Sequence, residues 1–147
     1  MVLNDKCKVC DYICNAMHFQ HNFVNWTSDN DNIDKFIKDT QLSVHNNASK
    51  ALEWIPYDRF YDIKCITEES FGKVYRAIWI DGHIDKWDVK SQSWNRYNKN
   101  MSVALKSLNS SKNITLEFLN EVKFCKIKFL LILYFNLHFN FFIDYIT

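Results

Sequence analysis

The residues closest to a recognisable chemistry lie near the N-terminus. Cys7-x2-Cys10-x3-Cys14, followed by His18 and His21, gathers five sulfur and nitrogen donors into one short stretch. Tetrahedral Zn²⁺ takes four such donors, and Cys7, Cys10, Cys14 and His18 are the expected set. The stretch holds one knuckle where common fingers have two. Reduced thiols beside helix-borne histidines are therefore the competing reading. His18 and His21 stand at i, i+3, which places them on one face of a helix without requiring that they bind anything. Cys65 and Cys125 read as core residues. Asp5, Lys6, Lys8 and Asp11 interrupt any apolar run at the N-terminus. The segment does not read as a secretory signal, and the expected compartment is the cytoplasm, where thiols stay reduced.

The elements that must position these groups follow from periodicity. Residues 1–26 read as a small helical region that contains Cys and His. Residues 27–59 read as two helices. In the first, Ile33, Phe36, Ile37 and Thr40 form one stripe, with Asn30 or Asp31 as N-cap. In the second, Ala51, Leu52 and Ile55 follow Ser49, and Pro56 stops the run. From Phe60 the pattern becomes strand-like. Phe60–Ile66 and Phe71–Trp79 flank a polar bend at 67–70, and Asp81-Gly82 is a hairpin-turn signal. Ile84, Trp87, Trp94 and Tyr97 predict an aromatic hairpin, whose cross-strand rings most simply stabilise the hairpin itself. Met101–Leu108 is a further strand. Asn113 or Thr115 then caps a helix carrying Phe118, Leu119 and Val122 on one face.

Composition narrows the function. The 147 residues carry 18 Lys+Arg against 17 Asp+Glu, a formal net charge of +1. That balance argues against a polyanion-seeking protein, so nucleic acid is not an expected partner. Apolar residues at 48% suffice for a core. With 2 Gly and 1 Pro against 16 Asn and 12 Asp, the turns must rest on Asn, Asp and Ser.

The order of strand, bend, strand, lysine-bearing strand and glutamate-bearing helix resembles the N-terminal lobe of a protein kinase. Ile66–Val74 is similar to the Gly-rich phosphate loop, with Thr67, Glu69 and Gly72 at its three glycine positions. Val103-Ala104-Leu105-Lys106 is similar to the Val-Ala-Ile-Lys strand, and Phe118-Leu119-Asn120-Glu121-Val122 to the following helix. Trp54–Phe60 resembles the lead-in of tyrosine-kinase-like kinases of the type expanded in fungi. The Trp79-Ile80-Asp81-Gly82 hairpin, with Trp87 and Trp94, resembles an insertion of that group. Phe19-Gln20 and Asn25-Trp26-Thr27-Ser28 resemble its preamble, which often carries cysteines. The likeness covers most of residues 14–123.

This resemblance implies ATP as ligand. Lys106 would hold the phosphates, Glu121 would orient Lys106, and Ile66, Gly72, Val74 and Ala104 would line or cover the nucleotide. Two of the three loop glycines are replaced, however. A Glu69 carboxylate ~6 Å from a phosphate costs about 3 kcal/mol at an effective dielectric near 20, roughly a hundredfold in affinity. ATP binding is accordingly expected to be weak or absent. Mg²⁺ would be needed only in a complete relative. The sequence contains no His-Arg-Asp and no Asp-Phe-Gly, and its only Asp after Glu121 is Asp144, so no phosphotransfer is expected from this chain alone.

The expected fold class is α+β: a kinase-like twisted antiparallel sheet with one helix over 60–123, behind the Cys-containing region (1–26) and a helical lead-in (27–59). The aromatic tail, 124–147, has three readings. It is too interrupted by Lys128, Asn136, His138 and Asn140 for a good membrane span. It would otherwise be buried strands, or the translation of A/T-rich sequence foreign to the fold in a truncated gene product. The function expected is a partial protein kinase domain. The alternative is a non-catalytic, kinase-like module, stabilised by Zn²⁺, that acts on a protein partner or a full-length kinase.

Overall fold

The computed structural model describes residues 6–69, 72–108, 130–133 and 140–144, with side chains at 6–68 and 73–105. The helix expected over 113–122, Glu121 and Cys125 lie outside the described residues. The described part is α+β with small antiparallel sheets. Helix α1 (Asn15–His21) and helix α2 (Asp31–Ser43) come first. Seven strands follow: β1 (Phe60–Glu69), β2 (Gly72–Trp79), β3 (His83–Asp88), β4 (Ser93–Tyr97), β5 (Met101–Leu108), β6 (Leu130–Leu133) and β7 (Asn140–Asp144). Five form one sheet in the order β1-β2-β5-β7-β6, and β3 and β4 form a separate pair. The tail thus contributes two strands, with β7 antiparallel to β5 and β6 to β7. No helix among the described residues is long and apolar enough to cross a membrane.

Helix α2 starts where its cap stands. The Asn30 side chain accepts from the amides of Asn32 and Ile33 at 3.0 and 3.2 Å, satisfying two donors that a helix start leaves open. Ile33 and Ile37 are fully buried on its inner face. The buried Asp34 accepts from Thr27 Oγ1 and the Ser28 amide, both at 2.7 Å, and from the Ser28 hydroxyl. The second helix expected in this region is reduced to a single 3-10 turn, Ala48–Lys50. Beyond it, α2 claims the backbone of Leu52. Thr40 Oγ1 accepts its amide at 3.1 Å and Gln41 Nε2 donates to its carbonyl at 2.7 Å, so that segment runs extended against α2.

Register explains the sheet core. Phe60 faces Trp79 across β1–β2, and Ala77 faces Val103 and Trp79 faces Met101 across β2–β5. Opposed residues of an antiparallel pair share a face. Ile55, Phe60, Ala77, Trp79, Val103 and Leu105 accordingly form one buried cluster. Strand β1 continues to Glu69 where a bend at 67–70 was expected. It is the sheet's edge and is bulged between Tyr61 and Lys64 and between Cys65 and Thr67. Cys65, expected in the core, pairs with Tyr75 on this edge strand and is exposed.

Asp81-Gly82 is not a hairpin turn, because β2 and β3 do not pair. It is the corner where the chain leaves the large sheet for the small one. Gly82 has φ +69°, and a Cβ there would lie 2.1 Å from the Tyr97 carbonyl oxygen. The β3–β4 aromatic hairpin forms as expected, with Trp87 opposite Trp94. It seats on the helices through a second buried cluster of Phe19, Val44, Ala48 and Ile84.

Candidate functional site

Two places in the fold correspond to the chemistry expected from the sequence. The first is the cysteine-bearing turn. The Asp11 amide donates to the Cys7 carbonyl at 2.8 Å and the Cys7 amide to the Tyr12 carbonyl at 3.0 Å, with Asp11 in the left-handed region at φ 59°. This closes residues 7–12 into a tight loop. Cys14 occupies the N-cap position of α1 but makes no side-chain cap bond. Its sulfur instead lies 3.3 Å from His45 Nδ1, and the Cys7 sulfur lies 3.5 Å from the same nitrogen.

Cys7, Cys10, Cys14 and His45 bring their ligand atoms within 4.8 Å of one another. Three sulfurs and one imidazole nitrogen are a donor set that can hold a metal ion such as zinc. The local electrostatics differ along the cluster. The backbone amides of Val9 and Cys10 bring the Cys7 thiol down to about 6, favouring the thiolate. Burial pushes the Cys14 thiol up. An open groove of about 390 Å³ borders the cluster, with Cys10, Cys14, His18, His45, Lys86 and Trp87 among its walls.

His18 was the expected fourth ligand, and the structure places it elsewhere. Its ring stacks on Trp87 at a centroid distance of 4.1 Å and meets Trp94 edge-on at 6.1 Å. Helix α1 turns its His18 face to the hairpin while Cys14, at its start, faces the end of α2. Burial between the indoles, and then the charge of His21, lower the His18 imidazole from its ordinary value. His45, absent from the sequence reading, follows α2 directly. Val44 beside it is buried in the helix–hairpin cluster, and the His45 carbonyl accepts the Asn15 amide at 3.3 Å. The missing signal was long-range: His45 is 31 residues from Cys14, beyond the gap of roughly 12–20 residues that common zinc spacings use.

The second place is the β1–β2 end of the large sheet. Glu69 pairs with Gly72, Thr67 with Val74, and Val74 with Lys106. Ala104 lies two residues from Lys106 on β5 and is buried at 7% exposure, whereas Val74 is half-buried. Val74, Ala104 and Lys106 therefore occupy register positions of one sheet face, opposite that of Ala77, Val103 and Leu105. Ile66 sits in the β1 bulge at 54% exposure. Strand pairing thus brings these positions to one end of the sheet, while the side chains of Lys106 and Glu121 lie outside the described ones.

Between the two places lies a polar joint. Arg96 donates to Glu53 Oε2 and to the Gly82 carbonyl, each at 2.7 Å, and the Ile84 amide donates to Glu53 Oε1 at 3.4 Å. Burial pushes the Glu53 carboxyl up, with Arg96 acting against it. Arg59 grips Asp81 with two bonds of 2.8 and 2.6 Å, holding that carboxyl below its usual range. No family model, no curated protein and no solved structure matches this chain.

Proposed function

We propose that this chain carries the nucleotide-binding lobe of a protein-kinase-like fold and transfers no phosphate by itself. The observation that supports this reading is the β2–β5 register. It sets Val74 opposite Lys106, with Ala104 on the same face and Gly72 at the hairpin end of β2. Directly opposed residues of an antiparallel pair lie about 5 Å apart at Cα. The lysine position and the hairpin glycine thus share one end of the sheet, and a polyphosphate bound there would need a cation and close N–H donors. Lys106 would hold the phosphates and Glu121 would orient it, while Ile66, Gly72, Val74 and Ala104 would enclose the base and sugar. The catalytic aspartates that a transfer requires have no counterpart in the sequence.

Thermal unfolding of the full chain with and without ATP and ADP tests the proposal. Nucleotide should raise the midpoint, and Lys106→Ala should abolish the rise while leaving the nucleotide-free midpoint in place. A midpoint unmoved by nucleotide would overturn the ATP assignment. It would favour the non-catalytic reading, for which Glu69 opposite Gly72 is the specific support: it sets a negative charge at the end of the sheet where phosphates would sit. The lobe would then serve as a surface for a protein partner or a complete kinase.

A further inference from the structure

We propose that Cys7, Cys10, Cys14 and His45 form one closed, structural Zn²⁺ site that clamps the N-terminal turn onto the end of α2. The site goes beyond the nucleotide reading and does not depend on it.

The donor geometry carries the argument. In a regular tetrahedron with Zn–S near 2.3 Å and Zn–N near 2.0 Å, a sulfur and a nitrogen ligand lie about 3.5 Å apart and two sulfurs about 3.8 Å apart. The two S···Nδ1 separations here are 3.5 and 3.3 Å. All four ligand atoms fall within 4.8 Å. The contraction needed to bind an ion is about 1 Å at most, within reach of side-chain rotation at the half-buried Cys7 and Cys10. The Val9 amide donates to the Cys7 sulfur at 3.5 Å, an outer contact that orients a metal-bound thiolate.

The cluster contains no carboxylate, which argues against Ca²⁺ and Mg²⁺, ions that take oxygen donors. Four protein donors fill a tetrahedron, so no position is left for a substrate, and the site is structural.

An independent observation concerns what else holds the turn. Val9, Tyr12 and Ile13 are 79%, 75% and 51% exposed. Of the residues from Lys6 to Cys14, only Cys14 is buried. Apolar burial therefore contributes almost nothing to fixing this segment, and no disulfide joins its cysteines. Yet its loop is closed by backbone hydrogen bonds and its sulfurs converge on a histidine from another element. A metal ion supplies the attachment that the side chains do not, since binding by such a set is itself folding free energy. His45 is held ready for this by the Asn15 amide on its carbonyl and by the buried Val44 beside it.

The test uses the full chain. Elemental analysis after purification in zinc-containing buffer should give one Zn²⁺ per chain. His45→Ala should weaken Zn²⁺ binding roughly a hundredfold in competition with a chromophoric chelator. His18→Ala should leave it unchanged, and His45→Cys should restore it. If His45→Ala fails to fold, Co²⁺ titration of the wild type and His45→Cys decides the matter. Both should give the intense visible bands of tetrahedral Co²⁺ with thiolate charge transfer. The bands should fall at different positions, because the wild type offers three thiolates and an imidazole and the variant offers thiolates alone. Wild-type chain without stoichiometric zinc, His45→Ala binding as tightly as wild type, loss on His18→Ala, or Co²⁺ spectra lacking tetrahedral thiolate bands would each overturn the assignment.

Discussion

Trp79 and Trp94 stand on neighbouring antiparallel pairs and are held in different ways. Trp79 is completely buried in the large sheet, among Ile55, Phe60, Ala77, Val103 and Leu105. Trp94 is half-buried on the small one, stacked on Phe19 at 4.5 Å and edge-on to Trp87 at 5.1 Å. Around Trp79 the attachment is continuous apolar area set by strand register. Around Trp94 a smaller apolar cluster of Phe19, Val44, Ala48 and Ile84 is supplemented by single contacts between distant parts of the chain: His18 on Trp87, Glu53 on Arg96, and Cys14 beside His45. A continuous core loses stability in proportion to the volume removed, whereas a set of single contacts can be cut one at a time and with a pH signature.

Three substitutions sharpen that contrast, beginning with the largest effect. Trp79→Ala should cost about 3–5 kcal/mol, read as a lower urea midpoint with an unchanged slope and no dependence on pH. Arg96→Ala should cost about 3 kcal/mol at neutral pH, because it strands the Glu53 carboxylate away from water. Glu53's carboxyl is already raised in the folded state, and without Arg96 it rises further. The folded variant then takes a proton more readily than the unfolded chain, so the penalty is full above the folded value and fades as pH falls through it. Urea titrations at neutral and mildly acid pH measure this; a penalty independent of pH would mean that the Glu53 charge is not its source. Asp81→Asn should cost least, about 0.5–1 kcal/mol, since Arg59 is 39% exposed and its ion pair is screened. Its sign is opposite. The lowered Asp81 carboxyl stabilises the fold above the ordinary carboxylate range and loses that contribution as pH falls. Wild type and variant should therefore converge in acid.

The same contrast governs what could be read from the sequence. The sheet was legible because strand periodicity is local: β2, β5 and the β3–β4 hairpin fall close to where alternation and aromatic spacing put them. The start of α2 was legible for the same reason, as Asn30 caps within three residues. Cys65 was misplaced because β1 is the edge of its sheet, and a pattern of apolar residues does not show which strand is left without a neighbour. The expected second helix around Ala51 and Leu52 gave way because Thr40 and Gln41 capture the Leu52 backbone from across the chain. The metal site was half legible. Its cysteines are neighbours in sequence, while His45 arrives through the docking of α1 against α2.

Asp11, Asp29, Asp62, Gln92, Asn98 and Asn100 all adopt positive φ, so this chain routinely uses other residues where many proteins use glycine. Gly82 cannot join them. The obstacle there is a neighbouring carbonyl 2.1 Å from where a first side-chain carbon would stand, and even an asparagine content with the dihedral would collide with it. The β3–β4 hairpin is therefore hinged to the large sheet at a corner that admits a single amino acid.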